Sequence, residues 1–234
     1  MATAGVKPSV NEPNSRMGMI WGIEPETINE IGGYTMGSFE DLLRIRRSVR
    51  NFKETPVPQE TLWALIQDST LAPSSGNEQP WRFVIVTDKC FMTEISRECK
   101  QALLHRIDSN PDDYAKKYKT LLSRPEYNIF YNAPALVFIL GLKHLKNSEV
   151  NCTLAAGYFM FSAANRGLGT CWISFAKFIN DKTIKKKLGL DPSLFIVAPI
   201  IVGYPQQIPA PPPRRDAEIL SISNPLSKGA RLPV

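Results

Sequence analysis

The stretch from Val150 to Arg166 constrains the fold most strongly, because nearly all of its side chains are apolar or small. Its pattern predicts one long helix, and a helix that is apolar almost all round is buried on all sides. In a chain of 234 residues, this favours a central helix packed against a second subunit. The alternative is a helix buried entirely within its own chain.

Around this helix the sequence predicts a mixture of shorter helices and strands. Helices are predicted near 38–47, 59–70, 91–107, 111–123 and 181–188, and strands at 82–87, 135–141, 170–174 and 195–203. The order lacks strict β-α-β repetition, which favours an α+β sandwich over a doubly wound parallel sheet. No GxGxxG motif follows a first strand, so a Rossmann dinucleotide site is not supported.

Residues 44–52 place four arginines and a serine where the first predicted helix ends. One or two cations suit the negative end of a helix dipole, but four exceed that need. Guanidinium groups beside a hydroxyl donor can bind a phosphate monoester through several charge-assisted hydrogen bonds. The segment therefore indicates either phosphate binding or a solvated helix end.

A second cluster, residues 71–83, joins a predicted helix to a predicted strand. Pro73 and Pro80 bracket a loop filled with hydroxyl, amide and backbone groups from Ser74, Ser75 and Asn77. Such groups can hydrogen-bond the edge of a planar heterocycle. An ordinary helix-to-strand turn explains the same residues equally simply.

Two further segments follow the arginine-rich segment and the loop in the sequence. Residues 167–174, GLGTCWIS, follow the long apolar helix, and the strand IIVGYP at 200–205 leads into a proline-rich stretch that ends at Arg214 and Arg215. With the two clusters above, and in this order, the chain resembles the FMN-dependent nitroreductase family over about residues 38–220. The resemblance implies an α/β sandwich, with a mixed, mainly antiparallel sheet flanked by helices, in an intertwined homodimer that binds FMN at the interface.

The resemblance also implies roles for individual residues, and no catalytic protein residue among them. Arg46, Arg47 and Ser48 are expected to hold the FMN phosphate and ribityl chain, with Arg50 near the flavin N1 and C2 carbonyl. The loop residues are expected to approach the ring from the partner subunit, and Ile173 and Ser174 to run beside it. Arg214 and Arg215 are expected to close the phosphate site. The loop residues expected to approach the ring are Pro73, Ser74, Ser75 and Asn77. For the proline-rich arm, a disordered tail with two incidental arginines is the alternative.

The implied function is reduction of nitroaromatic or quinone-type acceptors by NADH or NADPH, through a ping-pong two-electron relay. Alternatives within the family are a reductive dehalogenase-like or flavin-cleaving enzyme. A non-catalytic FMN-binding module is an alternative of another class. Residues 108–132 correspond to the variable region that covers the substrate, and their tyrosines suit either a flat substrate or packing onto a neighbouring helix.

Composition narrows the remaining possibilities. The net charge of +6 comes from scattered lysines without a nucleic-acid-binding motif, so nucleic acid is not expected as a partner. The four cysteines show no metal-like spacing, and burial is expected for Cys152 and Cys171. No signal peptide or membrane span is evident, which predicts a cytoplasmic protein. The expected organisation is an extension over 1–37, one FMN-binding domain over 38–220 and a tail over 221–234.

Overall fold

A computed structural model describes residues 38–110 and 112–223. The six α-helices of this part are α1 Phe39–Ile45, α2 Gln59–Ser69, α3 Lys89–Ser109, α4 Lys119–Leu122, α5 Ser148–Asn165 and α6 Lys182–Lys187. The four strands are β1 Arg82–Val86, β2 Ala135–Leu142, β3 Gly169–Trp172 and β4 Leu194–Gly203. Short 3₁₀ turns span Ser75–Asn77, Tyr114–Tyr118 and Ser174–Lys177.

The strands form one sheet in the order β1-β2-β4-β3, in which every neighbouring pair is antiparallel. β2 lies inside the sheet, and its side chains alternate between the two faces as strand geometry requires. Ala135, Val137 and Ile139 enter the core beneath α2 and α5. The side chains between them enter the core beneath α3 and α6. The result is a three-layer α+β sandwich, which confirms the predicted fold class.

A parallel bridge makes the sheet mixed. Ser48 pairs in parallel with Thr170 of β3, outside the four regular strands. The backbone N–H of Val49 donates to the Thr170 carbonyl at 2.9 Å. Gly169 permits this approach, because a Cβ atom there would lie 2.6 Å from a Val49 methyl carbon. The arginine-rich segment is therefore fixed along the edge strand of the sheet.

The predicted helix over 111–123 is wrong as a single element. The described residues form a 3₁₀ turn, Tyr114–Tyr118, followed by the four-residue helix α4. The carboxylate of Asp113 accepts from the Ala115 backbone N–H at 2.8 Å, and such local hydrogen bonds compete with regular helix. The other predicted helices and the four strands are present, with ends that differ from the prediction by at most two residues.

Helix α5 packs on the sheet with one face only. Cys152, Ala155 and Phe159 are buried in the core, whereas Val150 is 64% exposed and Tyr158 is 44% exposed. The alternative of a helix buried entirely within its own chain is therefore wrong for the described residues. An apolar face is left uncovered, as expected if a second subunit packs there.

Two other predictions concern the whole chain. None of the helices in the described residues is long and apolar enough to cross a membrane. The predicted extension over 1–37 lies outside the described residues, as does the tail beyond residue 223. The division into three segments therefore stays a prediction.

Candidate functional site

The arginine segment begins where α1 ends. Ser38 caps the helix by accepting from the Asp41 backbone N–H at 3.3 Å. At Arg46 the backbone leaves the helical region, with φ −58° and ψ 125°, and the chain then becomes extended along β3. This turn leaves Arg46 and Arg47 half-buried beside Gly167 and Leu168, the residues that follow α5.

Positive charge accumulates at this point without a counter-charge. Burial lowers the pKa of Arg46, and repulsion from Arg47 and Arg214 lowers that pKa further. Within residues 38–110 and 112–223, the recorded ion pairs involve other residues. The Arg47 guanidinium donates to the Arg46 carbonyl at 2.7 Å, and its buried Nε has no partner in the same described ranges. These arginines are arranged to receive an anion.

The C-terminal arm supplies Arg214. After β4, residues 208–212 run as an extended segment opposite α1, and together they enclose a cavity of about 620 Å³. Arg44, Arg47 and Arg214 line this cavity. Arg215 is exposed, and its expected role at the phosphate stays a prediction.

A second cavity, of about 310 Å³, lies beyond the arginine cluster. Arg50, Trp172, Ile173 and Ser174 form one side of it. The buried thiol of Cys171 links the two regions, because Arg46, Arg50 and Ser48 all act on it. Desolvation raises the pKa of that thiol, which keeps it neutral. The structure thus brings the arginines, Ser48 and the 173–174 pair close together within one chain, and their role at a cofactor stays a prediction.

The other side of this cavity consists of residues to which the sequence assigned no role. They are aromatic side chains from the 3₁₀ turn before α4, from the segment before β2 and from the turn after β3: Tyr114, Tyr118, Tyr127, Tyr131 and Phe175. The aromatic composition of 108–132 was the available signal. It did not distinguish a ligand cavity from packing on a helix.

The loop with Ser74, Ser75 and Asn77 lies elsewhere in the chain. Asn151 accepts from the Ser75 backbone N–H at 3.1 Å, and Asn147 donates to the Ser75 hydroxyl at 3.1 Å. These contacts fix the loop to the N-terminal end of α5. The arginine cluster lies at the opposite end of this helix, whose 18 residues span about 27 Å at 1.5 Å per residue. One chain therefore does not bring the loop and the arginines together.

A groove runs along the uncovered face of α5, between the Ser74–Asn77 loop at one end of the helix and the arginine cluster at the other. Its volume is about 720 Å³. Phe39 of α1 packs on Phe161 of α5 with ring centroids 5.6 Å apart, and Leu154 and Tyr158 continue the apolar wall. A Cβ atom added to Gly157 would meet no atom within 4 Å. The groove is open in the single chain.

The structure combines an α+β sandwich with an arginine cluster that lies beside an aromatic cavity and has no paired carboxylate in the described residues. A sequence model described as the nitroreductase family matches residues 43–204. The chain belongs to the nitroreductase family, a family of oxidoreductases.

Curated relatives span several reactions. An iodotyrosine deiodinase from Thermotoga neapolitana is 26% identical over 179 residues, which cover 75% of this chain and 93% of the relative. A 5,6-dimethylbenzimidazole synthase from Rhodospirillum rubrum is 29% identical over 182 residues, 73% of this chain and 85% of the relative. A 4-nitrobenzoate reductase from Pseudomonas putida is 28% identical over 200 residues, 71% of this chain and 85% of the relative.

Solved structures agree on the fold. A nitroreductase with bound FMN from Desulfitobacterium hafniense superposes with a TM-score of 0.67 at 20% identity. The match covers 79% of this chain and 97% of that chain.

Proposed function

We propose that this protein is an FMN-dependent oxidoreductase that uses NADH or NADPH to reduce nitroaromatic or quinone-type acceptors in a ping-pong two-electron relay. The observation that carries the proposal is the meeting of Arg46, Arg47 and Arg214 with no carboxylate paired to them in the described residues. Like charges held this close are stabilised when an anion binds among them. The phosphate of FMN is an anion of the required size.

The surrounding groups fit the remainder of the cofactor. The orphaned Nε of Arg47 and the hydroxyl of Ser48 are donors suited to a phosphate and a polyol chain. Arg46 would provide a half-buried charge, and Arg214 with Arg215 would close the site from the arm. The flavin ring would border the adjacent cavity on the side formed by Arg50, Ile173 and Ser174.

Arg50 would act on the ring rather than on the phosphate. It lines the aromatic cavity together with Ile173 and Ser174, beyond the arginine cluster. When bound, FMN supplies the two-electron chemistry. A fixed guanidinium beside the ring would stabilise negative charge that develops on reduction. No protein nucleophile is then required.

A second copy of the chain would complete the site. Two copies of α5 packed antiparallel would cover the exposed apolar face of each, and symmetric pairing through one shared patch is the commonest form of assembly. This packing would place the Ser74–Asn77 loop of one copy near the arginine cluster of the other. The homodimer is supported by the positions of the loop and the arginine cluster, which lie at opposite ends of α5.

The names of the relatives support electron transfer to a small aromatic molecule, and they also favour a second candidate. The curated relative from Pseudomonas putida is a 4-nitrobenzoate reductase, which agrees with a nitroaromatic acceptor. The deiodinase relative favours reductive dehalogenation of an aromatic as the second candidate. A non-catalytic FMN-binding module is less well supported, because the arginine beside the ring site would serve a redox role. We also propose that the protein is cytoplasmic.

The visible spectrum of the purified protein tests the proposal. Oxidised-flavin absorbance that bleaches under nitrogen on addition of NADH or NADPH, and returns with a nitroarene or quinone, is the expected result. If the absorbance returns only after a halogenated aromatic is added, the second candidate would be favoured. A flavoprotein that neither nucleotide reduces would contradict the reductase. A colourless protein that takes up no added FMN would contradict the cofactor assignment.

A further inference from the structure

The aromatic cavity carries an arrangement of four tyrosines that the cofactor assignment leaves unexplained. Tyr114 and Tyr118 come from the 3₁₀ turn before α4, whereas Tyr127 and Tyr131 come from the segment before β2. The Tyr118 ring packs edge-to-face on Phe175, from the turn after β3, with ring centroids 5.3 Å apart. Two segments remote in sequence thus supply four phenol groups to one space.

Each of the four tyrosine rings has a cation against it. The pairs, given with the distance from the cation to the ring centroid, are Arg50 on Tyr131 at 5.8 Å, Lys100 on Tyr127 at 5.9 Å, Arg106 on Tyr114 at 5.4 Å and Lys117 on Tyr118 at 5.1 Å. Only Arg106 has a carboxylate partner in the described part of the chain, Asp113 at 2.8 Å. No acidic residue of that part lines the cavity. Arg50 is the one charged residue among the described residues that line the cavity, and it favours an anion there.

Two of the phenols form a polarised donor. The hydroxyl of Tyr127 donates to the hydroxyl oxygen of Tyr131 at 3.0 Å. A hydroxyl that accepts a hydrogen bond becomes a stronger donor through its own O–H. Burial and the hydrogen bond to Tyr131 raise the pKa of Tyr127, so this phenol keeps its proton. The proton of Tyr131 is the one left for a ligand.

The backbone at Tyr131 is strained, and its neighbours hold it there. Tyr131 has φ +52° and Asn132 has φ +53°, a region that bulky residues rarely adopt. The Tyr131 N–H donates to the Asn128 carbonyl at 2.9 Å, and the Ala133 N–H donates to the Phe130 carbonyl at 3.0 Å. Strain that the surroundings maintain in this way is typical of functional positions. Here it sets the direction in which the Tyr131 side chain leaves the chain.

From these contacts we infer that Tyr131 and Arg50 form the acceptor subsite, and that they bind the anionic oxygen of a flat aromatic electron acceptor. The Tyr131 hydroxyl donates one hydrogen bond, and Arg50 supplies the charge. Tyr127 is a positioning residue that orients and polarises Tyr131. Because the ligand is the electron acceptor of the proposed reductase, this assignment depends on that function. It narrows the substrate class to aromatic anions such as carboxylates and phenolates.

Two redox-inert probes of the same shape test the subsite. 4-Hydroxybenzoate is an anion at neutral pH, and 4-hydroxybenzamide is its neutral counterpart. Calorimetric titration of the purified protein, with its flavin content measured beforehand, gives both affinities without turnover. The expected result is that the acid binds at least about tenfold more tightly than the amide, as a charge-assisted hydrogen bond requires.

Single-atom deletions identify the donor. Tyr131→Phe keeps the ring and the backbone conformation, and is expected to weaken binding of the acid by about tenfold. Tyr127→Phe is expected to weaken it by about threefold, because only the polarising neighbour is lost. Tyr204→Phe is the control, since Tyr204 packs against the opposite core, beneath α2 and α5, and lies outside the cavity.

Three results would overturn the inference. The first is absent or equal binding of the two probes, and the second is unchanged binding of the acid by Tyr131→Phe. The third is a loss of FMN from Tyr131→Phe that accounts for its weaker binding of the acid, because the hydroxyl would then belong to the cofactor. A wild-type protein that takes up no FMN would refute the proposed reductase. The probe titration would still decide whether the cavity binds an aromatic anion.

Discussion

Gly157→Leu separates the fold of the chain from its assembly. Gly157 lies in the open groove of α5, among Leu154, Tyr158 and Phe161, and an added Cβ atom would meet no atom of its own chain within 4 Å. Glycine is the poorest helix former after proline, so leucine is expected to stabilise the isolated chain by roughly 0.5–1 kcal/mol. Any destabilising effect must therefore come from a partner.

The effect on a dimer is opposite in sign and larger. If two copies pack through this face, each side chain inserted into a close-packed interface costs about 1–3 kcal/mol. A symmetric interface contains the change twice, so the cost is about 2–6 kcal/mol. At about 1.4 kcal/mol per factor of ten, the dissociation constant rises by roughly 30-fold to 20,000-fold.

Sedimentation equilibrium over a range of concentrations measures that constant, and thermal denaturation reports the fold. Gln101→Leu is the matched control, because Gln101 is an exposed helical residue on α3, outside the groove. We expect the Gly157 variant to dissociate and to lose FMN, and the control to do neither. A Gly157→Leu protein with wild-type association and wild-type FMN content would refute the packing of two copies through α5.

Three further predictions concern the site. Arg46→Ala is expected to weaken FMN binding by about 10–150-fold, because a charge-assisted contact of roughly 1.5–3 kcal/mol is lost. Titration of the apo-protein with FMN measures the affinity, and Arg97→Ala, at an exposed position, is the control. Arg50→Ala is expected to lower the two-electron potential by roughly 30–60 mV, on the same energy scale; a dye-coupled reductive titration reports it. Asn151→Ala leaves the Ser75 N–H without its buried acceptor, and is expected to cost about 1–3 kcal/mol in the free energy of unfolding by denaturant.

Each of these predictions has a contrary outcome. Unchanged FMN affinity for Arg46→Ala, or an equal loss in Arg97→Ala, would show that the cluster does not bind the phosphate. An unshifted potential for Arg50→Ala would mean that this guanidinium does not face the ring. Wild-type stability of Asn151→Ala would show that the loop is held by other contacts.

Local patterns in the sequence predicted most of the elements. The strands β1 and β2 begin at the residues predicted, because β-branched and aromatic side chains between turn residues are a local signal. The helix expected over 111–123 was wrong because the Asp113 carboxylate bonds its own neighbouring backbone. That competition is also local, and an aspartate at a possible cap position is the signal that could have indicated it.

The positions of the candidate site residues were predicted in part. The arginines at 46, 47 and 50 could be recognised as candidates for anion binding, because they lie close together in one short segment of the sequence. The tyrosine side of the cavity could not, since Tyr118, Tyr131 and Trp172 come to line one cavity only through the tertiary fold. A tyrosine at φ +52° has no sequence signal of its own.

The sequence by itself determined which groups are available: an arginine cluster for an anion, a polar loop, and a helix too apolar for one chain to cover. These depend on side-chain chemistry and on periodicity over a few residues. Only the tertiary structure decided where the groups lie. The loop is fixed at one end of α5 and the arginines at the other, while Arg50 meets Tyr131 across the sheet edge. Such distances follow from long-range strand pairing and helix packing, which no local pattern specifies.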